Sequence, residues 1–257
     1  MKSSRDLKPE VWHRVLLLGM PGVGKSTAAI ATSPAPVAVI LCEEEDAMQY
    51  PKAASPYEFS FARVTGWGST QRAFVEIQEA IKNEGIQTVV VDPVTDLGKI
   101  LEREAVPPPQ KGVDTYAAYR TYADRMMNVL DNLFRLPAHV IACAHYLEKD
   151  GKMLPLFSGQ MAIQVMKRFT DRVWMDLRGE ERVFITGPTP AMSGPACRSS
   201  KGTEVLPASI EALFAHFAEM RAEAEKASAG PPVKIGNSIP RIPRGPGTRV
   251  NTTQTKK

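Results

Sequence analysis

Nine residues constrain this chain more than any others: Gly19-Met20-Pro21-Gly22-Val23-Gly24-Lys25-Ser26-Thr27. Gly19 and Gly24, followed by Lys25 and Ser26, fit the phosphate-loop spacing G-x-x-x-x-G-K-[ST]. The run His13 to Leu18 ahead of them reads as a short buried strand, and the small residues Ser26 to Ala31 after them suit a helix. A strand that enters a glycine-rich turn and leaves as a helix points backbone N–H groups and a helix N-terminus at one anion. The stretch therefore predicts an α/β chain with a nucleotide site at a strand end.

The rest of the chain agrees with that class. Strand patterns fall at Val11–Leu18, Pro36–Cys42, Gln87–Asp92, Ala138–Ala144, Arg172–Leu177 and Arg182–Thr186. Helical patterns fall at Lys25–Ala31, Ser69–Asn83, Thr115–Leu136, Met161–Phe169 and Pro207–Lys226. In the second of these, Phe74, Ile77 and Ile81 recur at helical spacing, with Ser69 placed to cap the start and Gly85 just past the end. Such alternation predicts a mostly parallel sheet with helices on both faces and a site at the carboxyl ends of the strands. Val106 to Gly112, with three consecutive prolines, reads as an exposed loop. No internal repeat and no second domain is evident.

Composition narrows the function classes. The longest apolar runs are strand-length, far short of a membrane span, and Met1 to Asp6 lacks the apolar stretch of a signal peptide. Cys42, Cys143 and Cys197 are isolated, which argues against a zinc site or a disulfide framework and for a reducing, cytoplasmic setting. The net charge of +4 is unevenly spread. Beyond Ser228 there is no acidic residue, while Lys234, Arg241, Arg244, Arg249, Lys256 and Lys257 lie among five prolines. The expected organisation is a flexible N-terminus over 1–10, one ATPase domain over 11–227, and a disordered basic tail over 228–257. That tail either solubilises the chain or contacts nucleic acid.

Five positions are candidates for chemistry, two of them in the loop itself. Lys25 is expected to reach the β- and γ-phosphates, and Ser26 to place its hydroxyl on Mg²⁺. Thr88-Val89-Val90-Val91 leads into Asp92, an acid at a buried strand end suited to the same metal ion. Pro93 follows, where many AAA+ motors carry a catalytic Glu. A proline cannot polarise water, so the base is sought at Glu43, the first residue after the second strand. A Glu43-Glu44-Glu45-Asp46 run also reads as the solvated start of a loop. His145 ends the fourth expected strand and can sense a γ-phosphate by hydrogen bonding. His139 at the other end of that strand reads as structural, and His13 and His216 carry no partner signal.

Together, VLLLGMPGVGKST, VAVILCEEED, TVVVDPVTDL, HVIACAHYLEKDG and DRVWMDLRG resemble the RecA-like ATPases. They are most similar to phage-encoded nucleotide-binding proteins of the single-strand-annealing recombinase type. The resemblance implies a RecA-like P-loop fold, ATP and Mg²⁺ as ligands, and hydrolysis coupled to single-stranded DNA in recombination or replication. It implies that Glu43 lies across the γ-phosphate from the loop, that His145 is the sensor, and that Tyr146–Gln160 is a loop contacting DNA or sensing nucleotide. It also implies a homo-oligomer, with recombination or replication proteins as further partners and a basic residue from a neighbouring copy completing the site; Arg198 and Lys201 are the candidates. If phage-encoded, the protein would act in the host cytoplasm. Two alternatives stay open: a nucleotide-switched loader for a helicase or recombinase, and a small-molecule or nucleotide kinase. No Arg-rich lid segment favours the latter.

Overall fold

A computed structural model of the chain describes residues 12–108, 115–149, 152–188 and 196–228. The N-terminal segment, the basic tail beyond Ser228 and residues 109–112 of the proline-rich stretch lie outside the described residues.

The central strands form because their sequences are apolar throughout. β1 (Arg14–Gly19), β2 (Val37–Leu41), β4 (Thr88–Asp92) and β5 (His139–Ala144) are buried on both faces, as parallel strands covered by helices must be. With β3 (Ser60–Arg63), β8 (Asp171–Arg178), β9 (Glu181–Ile185) and β11 (Val205–Pro207) they make one sheet. Its order is β11-β9-β8-β1-β5-β4-β2-β3, with β10 (Ala196–Cys197) paired to β8. The run from β3 to β8 is parallel, and β9 reverses direction against β8. This is the mostly parallel sheet with helices on both faces expected from the sequence.

Two apolar layers enclose the sheet. On one face, α1 (Lys25–Ala31), α2 (Gln49–Ala54) and α7 (Ile210–Ser228) cover a cluster containing Leu17, Val39, Ile141 and Phe217. On the other, α3 (Trp67–Glu84), α4 (Val94–Ala105), α5 (Thr115–Arg135) and α6 (Met161–Arg168) cover Leu16, Ile40, Val91 and Ala142.

Several elements differ from the sequence expectation. α3 starts at Trp67, so Ser69 is its third residue and not its cap. The Ser69 hydroxyl still accepts the Thr65 and Gly66 N–H groups, and Glu104 of α4 accepts the Trp67 N–H, so a neighbouring helix completes the start. Gly85 does end α3, at φ 70°. The stretch from Tyr146 is no plain loop: β6 (Tyr146–Lys149) and β7 (Lys152–Pro155) pair as an antiparallel hairpin. α4 and the edge strand β3 were not foreseen, so the strand ending before His145 is the fifth.

The sheet sets the site by register. Leu41 pairs with Asp92, Val91 with Ala142, and Leu18 with Ala144. The carboxyl ends of β1, β2, β4 and β5 thus bring Gly19, Glu43, Asp92 and His145 to one rim.

Candidate nucleotide site

The loop between β1 and α1 keeps its shape through two glycines. Gly24, the residue preceding α1, has φ 101°, a left-handed conformation that glycine adopts without strain. Gly19 has no room for a side chain, because a Cβ there would lie 2.9 Å from the Met175 carbonyl oxygen of β8. Lys25 opens α1 but is buried. Its ammonium donates to the Gly19 and Met20 carbonyls at 3.1 and 2.8 Å, and lies 3.5 Å from His145 Nδ1. Burial lowers its pKa, while Cys143, Asp92 and Glu43 oppose that shift.

Asp92 is only 2% exposed, and its Oδ2 has no hydrogen-bond partner. Burial raises its pKa, while hydrogen bonding from Ser26 and Cys143 and the charge of Lys25 pull it down. A buried, unpartnered carboxylate oxygen beside a serine hydroxyl suits a divalent cation. Ser26 and Asp92 therefore fit Mg²⁺.

Glu43 lies on the other side of the cleft. Its carboxyl pKa is raised by burial, by the nearby charges of Asp92 and Asp96, and by a hydrogen bond with Asp96. His145 sits opposite, with its pKa lowered by burial and by Lys25, so its ring is neutral at pH 7. Its backbone N–H points to Thr95 Oγ1 at 3.4 Å. Ligand atoms of Glu43, Asp96 and His145 lie within 4.8 Å of one another.

A cleft of about 540 Å³ joins these groups: Pro21, Gly22, Gly24, Lys25, Ser26, Thr27, Glu43, Asp92 and His145 all line it. The sequence candidates Gly19, Met20 and Val23 do not line it: Gly19 and Met20 give their carbonyls to Lys25, and Val23 gives its carbonyl to Arg182. Arg198 and Lys201 stand apart from the cleft of their own chain. Arg198 bonds to Thr170 at the amino end of β8, and Lys201 pairs with Glu223 of α7. His139 is structural, stacked among Trp12, His13 and Phe214, and His13 does have partners there. His216 likewise meets Ser200 Oγ at 3.0 Å.

Sequence reasoning missed Tyr50, Asp96 and Arg182. Tyr50 and Arg182 line the cleft, and a carboxylate oxygen of Asp96 lies within 4.8 Å of one of Glu43. Asp96 lay inside a quoted motif, four residues past Asp92, in the first turn of an unforeseen helix. Tyr50 follows Glu43 on α2 and is 81% exposed. Arg182 had no local signal, since only the sheet order brings β9 near the loop.

Compared with known proteins, residues 13–177 match the family model described as AAA domain, well over half of the chain. No curated protein matches. Among solved structures, a KaiC-like protein of the hyperthermophilic archaeon Pyrococcus horikoshii OT3 is 14% identical, over 75% of this chain and 83% of its own, with a TM-score of 0.49. An ATPase from the type III secretion system of pathogenic bacteria is 13% identical, over 65% of this chain and 52% of its own, with a TM-score of 0.44. No helix among the described residues is long and apolar enough to cross a membrane.

Proposed function

The chain belongs to the AAA domain family, and from that premise we propose that it hydrolyses ATP and couples the reaction to single-stranded DNA in recombination or replication. One observation carries the catalytic part: Lys25, Ser26, Glu43, Asp92 and His145 converge on one cleft from four strand ends.

In this reading Lys25 leaves the Gly19 and Met20 carbonyls for the β- and γ-phosphates, and the loop amides hold the phosphate oxygens. Ser26 and Asp92 hold Mg²⁺, which when bound neutralises phosphate charge. Glu43 orients the attacking water and accepts its proton. His145, neutral and beside Lys25, reports the terminal phosphate to the β6–β7 hairpin that follows it directly.

Support for a DNA partner is positional. The hairpin begins one residue past His145, and Lys149 and Lys152 flank its turn in sequence. Such a coupling belongs to the annealing-type recombinases that the motifs resemble, as does assembly of several copies. The deciding experiment is the ATPase rate with and without single-stranded DNA, across a salt series. Stimulation by DNA supports the proposal. A DNA-indifferent rate sinks the coupling and leaves a kinase or a partner-dependent loader.

A further inference from the structure

Three clefts run in series along the site. The phosphate cleft shares Glu43 and Ala47 with a neighbour of about 550 Å³ that also reaches Asp96. At its other side it shares Gly24, Thr27, Tyr50 and Arg182 with a cleft of about 650 Å³ between α1, α2 and the Pro207–Ser209 turn. Neither Glu43, Asp92 nor His145 borders that last cleft. If hydrolysis happens at Glu43, the terminal phosphate points that way and the nucleoside points toward Arg182.

Arg182 occupies the junction. Its Nε donates to the Val23 carbonyl of the phosphate loop at 2.9 Å. Gly24 makes this approach possible, because a Cβ there would lie 2.9 Å from that Nε and 3.2 Å from Cδ. Arg63, Arg125 and Arg168 each face a carboxylate, on Glu44, Glu104 and Asp131. Among the described residues Arg182 faces none. With Nε fixed on the loop, the two terminal nitrogens remain as a planar fork of donors at the rim of both clefts.

The geometry points to Arg182 as a nucleotide-binding residue of this chain's own site, whose fork takes the phosphate nearest the nucleoside, the α-phosphate. The ligand class is a nucleoside di- or triphosphate, and the nucleoside lies in the 650 Å³ cleft. This inference rests on the nucleotide reading of the loop. It adds to that reading a direction for the ligand and a cation from β9, far from the loop in sequence.

The test is titration of the full chain with ATP and with ADP in the presence of Mg²⁺. The proteins compared are the parental one, Lys25→Ala, Arg182→Ala and Arg182→Lys. An arginine on the α-phosphate predicts that Arg182→Ala weakens ATP and ADP alike by roughly tenfold or more. Arg182→Lys, which keeps the charge without the fork, falls between, and it carries the test should Arg182→Ala fail to fold. Parental affinity in both variants would reduce Arg182 to a brace on the Val23 carbonyl and overturn the inference. A loss confined to ATP would place it on the terminal phosphate and overturn it equally. If the parental chain binds neither nucleotide, the proposed function fails first, and Arg182 falls with it.

Discussion

The Lys25 ammonium lies 3.5 Å from Nδ1 of His145, so the charge that would meet phosphate first meets the proposed sensor. In the proposed mechanism this contact gives His145 two states to report. With Lys25 near, the imidazole stays neutral; with Lys25 drawn onto phosphate, that constraint weakens.

The pair makes a prediction readable without catalysis. The His145 imidazole titrates below its ordinary 6.5, through burial first and Lys25 second. Lys25→Met should therefore raise the His145 pKa, followed by NMR of the ring protons. An unchanged titration would remove Lys25 as a cause. The same substitution should abolish nucleotide binding.

Glu43→Gln should bind ATP within about threefold of the parental protein while turnover falls by at least about a hundredfold. Equilibrium binding and steady-state hydrolysis measured on one preparation separate the two effects. Parental turnover in this variant would return Glu43 to the status of a loop residue.

Asp92→Asn should cost function and add stability. Asp92 is buried with one oxygen unpartnered, and burial raises its pKa, so the fold disfavours its ionised form. Removing the charge should raise the melting temperature by a few degrees, about 1 kcal/mol, and abolish the Mg²⁺ dependence of nucleotide binding. A lower melting temperature with Mg²⁺ dependence intact would mean that Asp92 serves packing alone.

Acid should loosen the far end of the molecule. His13 and His139 stack on each other and on Phe214 of α7, and both pKa values fall from 6.5 to about 4. Burial is the main cause for both. For His13, Arg221 and Arg14 add to it; for His139, His13 and Arg14 do. The unfolded chain takes up these protons near pH 6.5 and the folded chain only near 4. Their stabilisation is thus complete above pH 6.5 and is lost as pH falls toward 4. Urea unfolding at pH 7, 5.5 and 4.5 should show that slope, and His13→Phe should flatten it.

How much of this the sequence carries depends on where each signal lies. The phosphate loop, Asp92 and the buried strands were legible because each is a local pattern: a spacing, or an apolar run ending in an acid. α1 was placed residue for residue. β3 was not, because a four-residue edge strand that is mostly exposed carries no apolar run. α4 was hidden by Asp92-Pro93, although Val94, Leu97 and Leu101 supply its buried stripe. The start of α3 was misplaced because Glu104, 37 residues away, supplies part of its capping. Arg182 was illegible for the same reason, since its neighbours are set by sheet order and not by sequence distance.

Thr32, the residue that ends α1, receives the Ile210 N–H on its hydroxyl and the Glu211 N–H on its carbonyl. A helix of seven residues, about 10 Å long, thus has the phosphate loop at its head and the first turn of α7 bolted to its foot. Trimming the chain from its C-terminal side is accordingly safe only to the end of α7. A cut before Ile210 would strip the brace from a helix whose opposite end carries Lys25, and would damage the site from about two turns' remove without touching it.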